Sequence, residues 1–231
     1  MTRYRWLLFD ADGTLFDYDR AEAAAVEATW SELGLEPPAG LLETYRRINA
    51  DLWKVYETGG ITQKALQVER FARLVAELGG GADPERLNRA YLVQLSRQTF
   101  LLDGARELLE WAGERFRLAL ITNGIPEVQR PRIRRTGFDR LFPVVVISGE
   151  EGVAKPGPEI FDIARQRMGG PEREDILLIG DSLSSDVRGG VDYGIDTCWF
   201  NPAGVDRGEG PEPRWAIRRL GELRRILGGE R

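Results

Sequence analysis

The chain has 231 residues, a hydrophobic content of 42% that is ordinary for a globular protein, and a formal net charge of −5. This length allows one large domain or two smaller ones. The negative charge gives no electrostatic reason to expect binding to a nucleic-acid polymer or an anionic membrane. The sequence has no histidine, which excludes Ser-His-Asp and Cys-His catalysis and argues against a zinc site.

The single cysteine, Cys198, lies in the apolar run Thr197–Phe200, so we expect a buried structural thiol and no intrachain disulfide. No apolar run approaches transmembrane length, and no signal peptide opens the sequence. We therefore expect a cytoplasmic protein without membrane contacts.

The first predicted element is a buried strand that ends in acidic residues. The apolar run Trp6–Phe9 is typical of a strand covered on both faces, and Asp10, Asp12 and Gly13 follow it directly. An extended backbone would point the Asp10 and Asp12 side chains the same way, and paired carboxylates suit Mg²⁺. An ordinary Asp/Gly turn after a strand explains the same residues equally well.

Residues from about 19 to 98 show helical periodicity and no strand-like run. Val26, Trp30 and Leu33 lie at helical spacing, and Asp83-Pro84 predicts the start of another helix. The pattern predicts a block of about four helices inserted after the first strand.

From residue 103 onwards, strand and helix patterns alternate. Apolar runs predict four further strands, at 118–121, 144–147, 176–179 and 197–200. Helical patterns lie between them, at 126–136, 158–168 and 184–193. This alternation indicates a parallel sheet with crossover helices. Ile217, Leu220, Leu223 and Leu227 predict an amphipathic helix at the end of the chain.

Polar residues follow the first strand and three of the later ones. They are Asp10, Asp12, Gly13 and Thr14; then Thr122, Asn123 and Gly124; then Lys155; and finally Asp181, Ser182 and Asp186. Each group alone has an ordinary explanation as a turn, a helix start or a surface lysine. Ligands of open parallel sheets bind beyond the carboxyl ends of the strands, so the coincidence of four groups there predicts a site.

The chemistry that suits this set is phosphoryl transfer. A Mg²⁺ held by Asp10, the backbone carbonyl of Asp12 and Asp181 would cancel the repulsion between a carboxylate nucleophile and a phosphate dianion. Lys155 would add positive charge on the transferring group. Thr122 and the amides around Gly13 and Gly124 would donate hydrogen bonds to its oxygens.

The sequence resembles the haloacid dehalogenase-like hydrolase superfamily, whose four ordered motifs match Asp10-x-Asp12-Gly13-Thr14, Thr122-Asn123-Gly124, Lys155-Pro156 and Gly180-Asp181-Ser182-x-x-x-Asp186. The resemblance implies a Rossmann-like core with an inserted helical cap. It therefore implies a catalytic core of residues 1–15 and 99–231 and a cap of residues 16–98.

The resemblance also implies Mg²⁺-dependent phosphatase chemistry through an aspartyl-phosphate. Asp10 matches the nucleophile and Asp12 the acid/base, while Asp181 matches the metal-binding acid. Thr122, Asn123 and Lys155 match the phosphate binders, and Asp186, Gly13, Thr14 and Ser182 match supporting positions. The acid at Asp12 favours a phosphatase over a dehalogenase, because a halide leaving group needs no proton.

Several stretches are similar to a narrower group, the pyrimidine-type nucleoside 5′-monophosphatases: Phe9–Phe16, Leu52–Ile61, Val146–Phe161 and Gly194–Asn201. This predicts a small phosphorylated metabolite as substrate and a monomer or homodimer. Trp53 and Tyr56 are candidates for stacking on a base, although aromatic residues at helical spacing are more often core.

Two other interpretations stay open at this point. A phosphomutase would use the same residues and retain the phosphoryl group. A signalling module would accept phosphate on Asp10 without turnover.

Overall fold

The computed structural model describes residues 2–79 and 81–228. Six strands form one parallel sheet in the order β3-β2-β1-β4-β5-β6. The strands are β1 Trp6–Phe9, β2 Arg117–Thr122, β3 Val144–Ile147, β4 Ile176–Gly180, β5 Asp196–Phe200 and β6 Trp215–Ile217. The predicted α/β fold class is confirmed.

Helices occupy the segments between the strands. The longer ones are α1 Tyr18–Glu32, α2 Leu41–Glu57, α3 Gln63–Leu78, α4 Pro84–Arg97, α5 Ala105–Gly113, α6 Pro126–Thr136 and α8 Pro158–Arg167. The shorter ones are α7 Ser148–Glu151, α9 Arg188–Tyr193 and α10 Leu223–Ile226. A π-helical turn, Leu183–Val187, precedes α9.

The central strands alternate their apolar side chains between two buried layers. In β1, Leu7 and Phe9 belong to one core cluster, and Trp6 and Leu8 belong to the other. This alternation follows from the two-residue period of a strand, and it explains why the central strands are apolar along their whole length. The core is therefore continuous on both sides of the sheet.

The pattern of contacts divides the chain into two compact units. The first contains residues 1–18, 100–126 and 133–231, and the second contains residues 19–99 and 127–132. The second unit includes α1 to α4 and a short stretch of α6, and this stretch lies within the range 99–231 predicted for the core. The assignment of these parts as catalytic core and cap stays a prediction.

The helical unit has an aromatic core. Tyr45, Phe71 and Tyr91 are buried, and their ring centroids lie 5.3–5.5 Å apart. Thr62 and Asp83 accept hydrogen bonds from the first turns of α3 and α4, which fixes where these helices begin. No helix among the described residues combines the length and apolar character that a membrane crossing requires.

The predicted helix at the end of the chain is wrong in part. Ile217 lies in β6, whose Trp215 pairs with Cys198 of β5, and only Leu223–Ile226 forms an α-helix. Ile217, Leu220, Leu223 and Leu227 are nevertheless all buried in one cluster. A three-residue edge strand is too short to show its own periodicity, so burial alone produced a spacing that resembles a helix.

Candidate active site

Three adjacent strands deliver the predicted site residues to one edge of the sheet, which we call the carboxyl edge. Asp10 follows β1 and Asp181 follows β4, and the Asp10 amide donates to the Ile179 carbonyl at 2.9 Å. Thr122 is the last residue of β2, on the other side of β1. Parallel strands end together, which is why residues far apart in sequence meet here.

Lys155 lies at the centre of the site. Its Nζ donates to Asp10 Oδ1 at 2.6 Å, to Asp186 Oδ1 at 2.6 Å and to the Ile121 carbonyl at 3.1 Å. The side chain is only 1% exposed. Burial alone would lower the pKa of Lys155, but the charges of Asp10 and Asp186 outweigh it and raise the pKa above its usual value. Lys155 is therefore a fixed positive charge.

Asn123 holds the segment that carries Lys155. Its Oδ1 accepts from the Lys155 amide and its Nδ2 donates to the Lys155 carbonyl, both at 2.8 Å. The neighbouring Thr122 Oγ1 accepts from the Gly124 amide at 3.1 Å. Asn123 thus orients the lysine backbone, a contact that the sequence analysis did not foresee.

Asp186 is positioned by the π-helical turn after β4. The Ser182 amide donates to Asp186 Oδ2 at 3.1 Å, and Ser182 Oγ caps the turn by accepting from the Ser185 amide. A Cβ on Gly180 would lie 2.3 Å from the Asp186 carboxyl group. The glycine at position 180 is therefore required for Asp186 to approach the strand end.

Three carboxylates lie close enough to share a cation. Asp10, Asp181 and Asp186 each offer an oxygen, and these oxygens all lie within 4.8 Å of one another. Thr14 Oγ1 donates to Asp181 Oδ1 at 3.1 Å. Gly13 has a φ of +82°, and a Cβ there would lie 2.4 Å from Asp181 Oδ2, so only glycine leaves room for this carboxylate.

The carboxyl groups of this cluster have raised pKa values, which indicates that too little positive charge lies near them. Burial and the charge of Asp186 raise the pKa of Asp181 to about 7. Burial also raises the pKa of Asp10 well above its usual value, against the opposing charge of Lys155. One lysine does not neutralise three carboxylates of which two are buried and one, Asp181, is half-buried, and a carboxylate donor set suits a hard divalent cation. The residues present fit a divalent metal.

Asp12 is not one of the three carboxylates of this group. It is half-buried and forms an isolated bridge with Phe16 in the turn that follows β1. The Gly13 amide, expected to face an anion, donates to the Phe16 carbonyl at 2.9 Å, and the Gly124 amide already donates to Thr122. Each of these two amides completes a local turn, and donation to a phosphate by the other amides around Gly13 and Gly124 stays a prediction.

Trp199 is a neighbour of the site that no sequence motif indicated. Trp199, near the end of β5, donates from Nε1 to the Asp181 carbonyl at 2.8 Å and so ties the backbone of that residue to the next strand. Only the position of a tryptophan at a strand end could have indicated it. Trp53 and Tyr56 lie in α2 of the helical unit, where their rings meet edge to face with centroids 5.4 Å apart.

Comparison with known proteins adds independent findings. A family model described as haloacid dehalogenase-like hydrolase matches residues 4–194. The pyrimidine 5′-nucleotidase YjjG of Escherichia coli is 35% identical over 97% of this chain and 98% of its own length. The pyrimidine 5′-nucleotidase PynA of Streptococcus pneumoniae is 34% identical over 93% of this chain and 91% of its own length.

The fold has a near match among solved structures. The magnesium-bound HAD-hydrolase YfnB of Bacillus subtilis superposes with a TM-score of 0.90 at 35% identity, covering 98% of this chain and 99% of that one. The family model, the identity across nearly the full length and the shared fold lead to the same conclusion: this chain belongs to the haloacid dehalogenase-like hydrolase family.

Proposed function

We propose that the protein is a Mg²⁺-dependent phosphatase that hydrolyses small phosphomonoesters, with nucleoside 5′-monophosphates as its preferred substrates. The observation that carries the proposal is the contact of Lys155 with both Asp10 and Asp186, beside a third acid, the half-buried Asp181. This arrangement supports the assignment of a carboxylate nucleophile, a fixed cation and a divalent-ion position to one strand edge.

Asp10 is the nucleophile in this proposal. Its carboxylate oxygen attacks phosphorus, and the bond from phosphorus to the ester oxygen breaks as the aspartyl-phosphate forms. Lys155 orients the attacking carboxylate and attracts the phosphoryl group. Because Asp10 must be ionised to attack, the burial that raises its pKa has to be opposed by positive charge.

Mg²⁺, when held by Asp10, Asp181 and the carbonyl of Asp12, supplies that positive charge and polarises the phosphoryl oxygens. Asp186 lies within reach of the same ion, but both of its oxygens already accept hydrogen bonds, from Lys155 and Ser182. We therefore assign Asp186 to support of the lysine, and Thr14 to orientation of Asp181 through its hydroxyl group.

Asp12 is the general acid and base in this proposal. It protonates the departing ester oxygen in the first step and then takes the proton from the water that hydrolyses the aspartyl-phosphate. Thr122 and Asn123 belong to the phosphate-binding part of the site in this proposal. Asn123 contributes by holding the segment that carries Lys155. Small phosphorylated metabolites are the partners of this chemistry; a cytoplasmic location and a monomeric or homodimeric state stay predictions.

The sequence identity of 35% and 34% with two pyrimidine 5′-nucleotidases supports nucleotides as substrates. Release of inorganic phosphate from a panel of nucleoside 5′-monophosphates and sugar phosphates tests this choice. We expect the highest kcat/KM among the nucleotides, and a preference for sugar phosphates alone would contradict it.

A metal and mutant series tests the chemistry. We expect turnover of p-nitrophenyl phosphate to stop with EDTA and return with Mg²⁺, and Asp10→Asn to lower kcat by about 10⁴-fold or more. Asp12→Asn should slow the reaction less for p-nitrophenyl phosphate, whose leaving group needs little protonation, than for a nucleotide. Full activity of Asp10→Asn would overturn the proposal, and retention of the phosphoryl group in the main product would instead support a mutase.

A further inference from the structure

A second concave site lies at the opposite edge of the sheet, where the strands begin. We call it the amino-edge cleft. It has a volume of about 580 Å³ and is lined by the start of the chain, the turn before β2 and the turn before β4: residues 4–6, 113–117, 168, 169, 171 and 175. This volume is in the range of small-molecule sites in proteins.

The charge of the cleft differs from that of the whole chain. Three arginines line it, Arg5, Arg115 and Arg117, against two acids, Glu114 and Asp175. The chain as a whole carries a net charge of −5. A local excess of guanidinium groups in a recess attracts small anions even when the overall charge repels them.

Arg117 supplies the uncompensated charge. Its guanidinium lies over the Trp6 ring, 5.7 Å from the ring centroid, and within the described part of the chain no carboxylate forms an ion pair with it. Stacking on a buried tryptophan holds the group in place without using its N–H donors. Arg117 is exposed, so these donors are accessible to an acceptor in solution.

Arg5 adjoins Arg117 across the two central strands. The Arg117 amide donates to the Arg5 carbonyl at 3.0 Å, so the two residues are neighbours. The side chain of Arg5 is 78% exposed and forms a loose ion pair with Asp175, with 3.6 Å between Nε and Oδ2. Arg115 is more fully engaged, because it donates to Glu114 and to the Trp111 carbonyl.

We propose that the amino-edge cleft is a second, non-catalytic binding site for a small molecule that carries a phosphate or diphosphate group, bound by Arg5 and Arg117. Planar guanidinium groups pair with phosphate oxygens through two parallel hydrogen bonds. The cleft is separate from the carboxyl edge, because β1 carries Trp6 at its start and leads to Asp10 beyond its end.

Calorimetric titration of the metal-free protein in EDTA tests this site. Without metal the catalytic site carries three carboxylates against one lysine and disfavours an anion, so binding reports the cleft. The probes are inorganic phosphate, pyrophosphate and a nucleoside diphosphate, which separate a free anion from an esterified one. We expect one equivalent to bind the wild type, with an affinity that falls as salt rises.

The test variant is a double variant that combines Arg5→Gln and Arg117→Gln. The control is the single variant Arg219→Gln. Arg219 is 83% exposed and follows β6, away from the cleft. We expect the double variant to lose affinity about tenfold or more, and the control to bind like the wild type. Arg117→Lys, which keeps the charge but loses the planar fork, should lie between them.

Thermal unfolding of each variant checks that it folds. If none of the probes binds the wild type, or if the folded double variant binds as tightly as the control, the proposal is overturned. Phosphatase activity is measured separately with Mg²⁺, so this result is independent of the proposed catalytic function.

Discussion

The two units of the chain each bury a cation, and they neutralise it in different ways. In the sheet unit, Lys155 contacts two carboxylates at 2.6 Å, with a third acid close by. In the helical unit, Arg70 is 1% exposed and donates to the side-chain oxygens of Asn49 and Asn88 at 3.4 and 3.1 Å.

Aromatic rings complete the environment of Arg70. Its guanidinium lies 4.7 Å from the Tyr91 ring centroid and 5.3 Å from that of Phe71. No carboxylate among residues 2–79 and 81–228 forms an ion pair with it. Amide oxygens and ring faces surround this cation, although its Nε has no hydrogen-bond partner among the described residues. The Lys155 cluster is left with excess negative charge, and that imbalance distinguishes a reactive site from a structural one.

Lys155→Met should have the largest effect of the changes that test this contrast. It leaves Asp10 and Asp186 buried without their shared cation, which should lower the free energy of unfolding by about 3–5 kcal/mol. We expect kcat for phosphate release to fall roughly 10³-fold as well. Urea unfolding and steady-state kinetics measure the two effects, and near wild-type kcat would remove Lys155 from the catalytic group.

Gly13→Ala tests the space reserved for Asp181. The new Cβ would lie 2.4 Å from the Asp181 carboxylate, so we expect the Mg²⁺ concentration for half-maximal activity to rise about tenfold. Gly104→Ala is the matched control, because Gly104 has a similar φ of +79° but nothing within 4 Å of an added Cβ.

Both glycine variants should lose about 1–2 kcal/mol of stability from the left-handed backbone. Only Gly13→Ala should change the Mg²⁺ dependence of activity. An equal change in both variants would show that backbone strain, and not the approach to Asp181, is responsible.

The pH dependence of the metal-free protein follows from Asp181. In the folded protein this carboxyl keeps its proton up to a pKa of about 7, while the unfolded chain loses it near 3.8. The folded state binds more protons between these values, so its stability falls as pH rises from about 4 to about 7. A thermal unfolding series in EDTA measures this slope.

Mg²⁺ should reverse this loss. Protons compete with the cation for Asp181, so we expect Mg²⁺ to raise the unfolding temperature more at about pH 8 than at about pH 5.5. An equal rise at both pH values would indicate that the ion binds elsewhere.

Arg70→Met should have the smallest effect on activity. The amide oxygens of Asn49 and Asn88 lose the guanidinium donors, so we expect a loss of about 1–3 kcal/mol in stability. Because Arg70 is held by side chains of the helical unit and not by the predicted site residues, kcat for p-nitrophenyl phosphate should stay near the wild-type value. A fall in kcat comparable to that of Lys155→Met would contradict the contrast between the two cations.

Much of the fold was predictable because local patterns carry it. The apolar runs of the central strands and the helical periodicity of residues 19–98 gave the α/β class. β6 and the end of the chain were not predictable, since a three-residue strand has no periodicity of its own. The stretch 127–132 belongs to the helical unit through contacts that no local pattern records.

In the candidate site, too, some features follow from local sequence patterns and others depend on contacts between distant residues. The sequence by itself determined which residue types follow each strand, because strand ends and glycine turns are short-range features. Only the tertiary structure decided that Lys155 bridges Asp10 and Asp186, that Asn123 orients Lys155, and that the Gly13 amide serves a turn. These contacts join residues up to 145 positions apart, and only the order of the strands in the sheet brings such distant positions together.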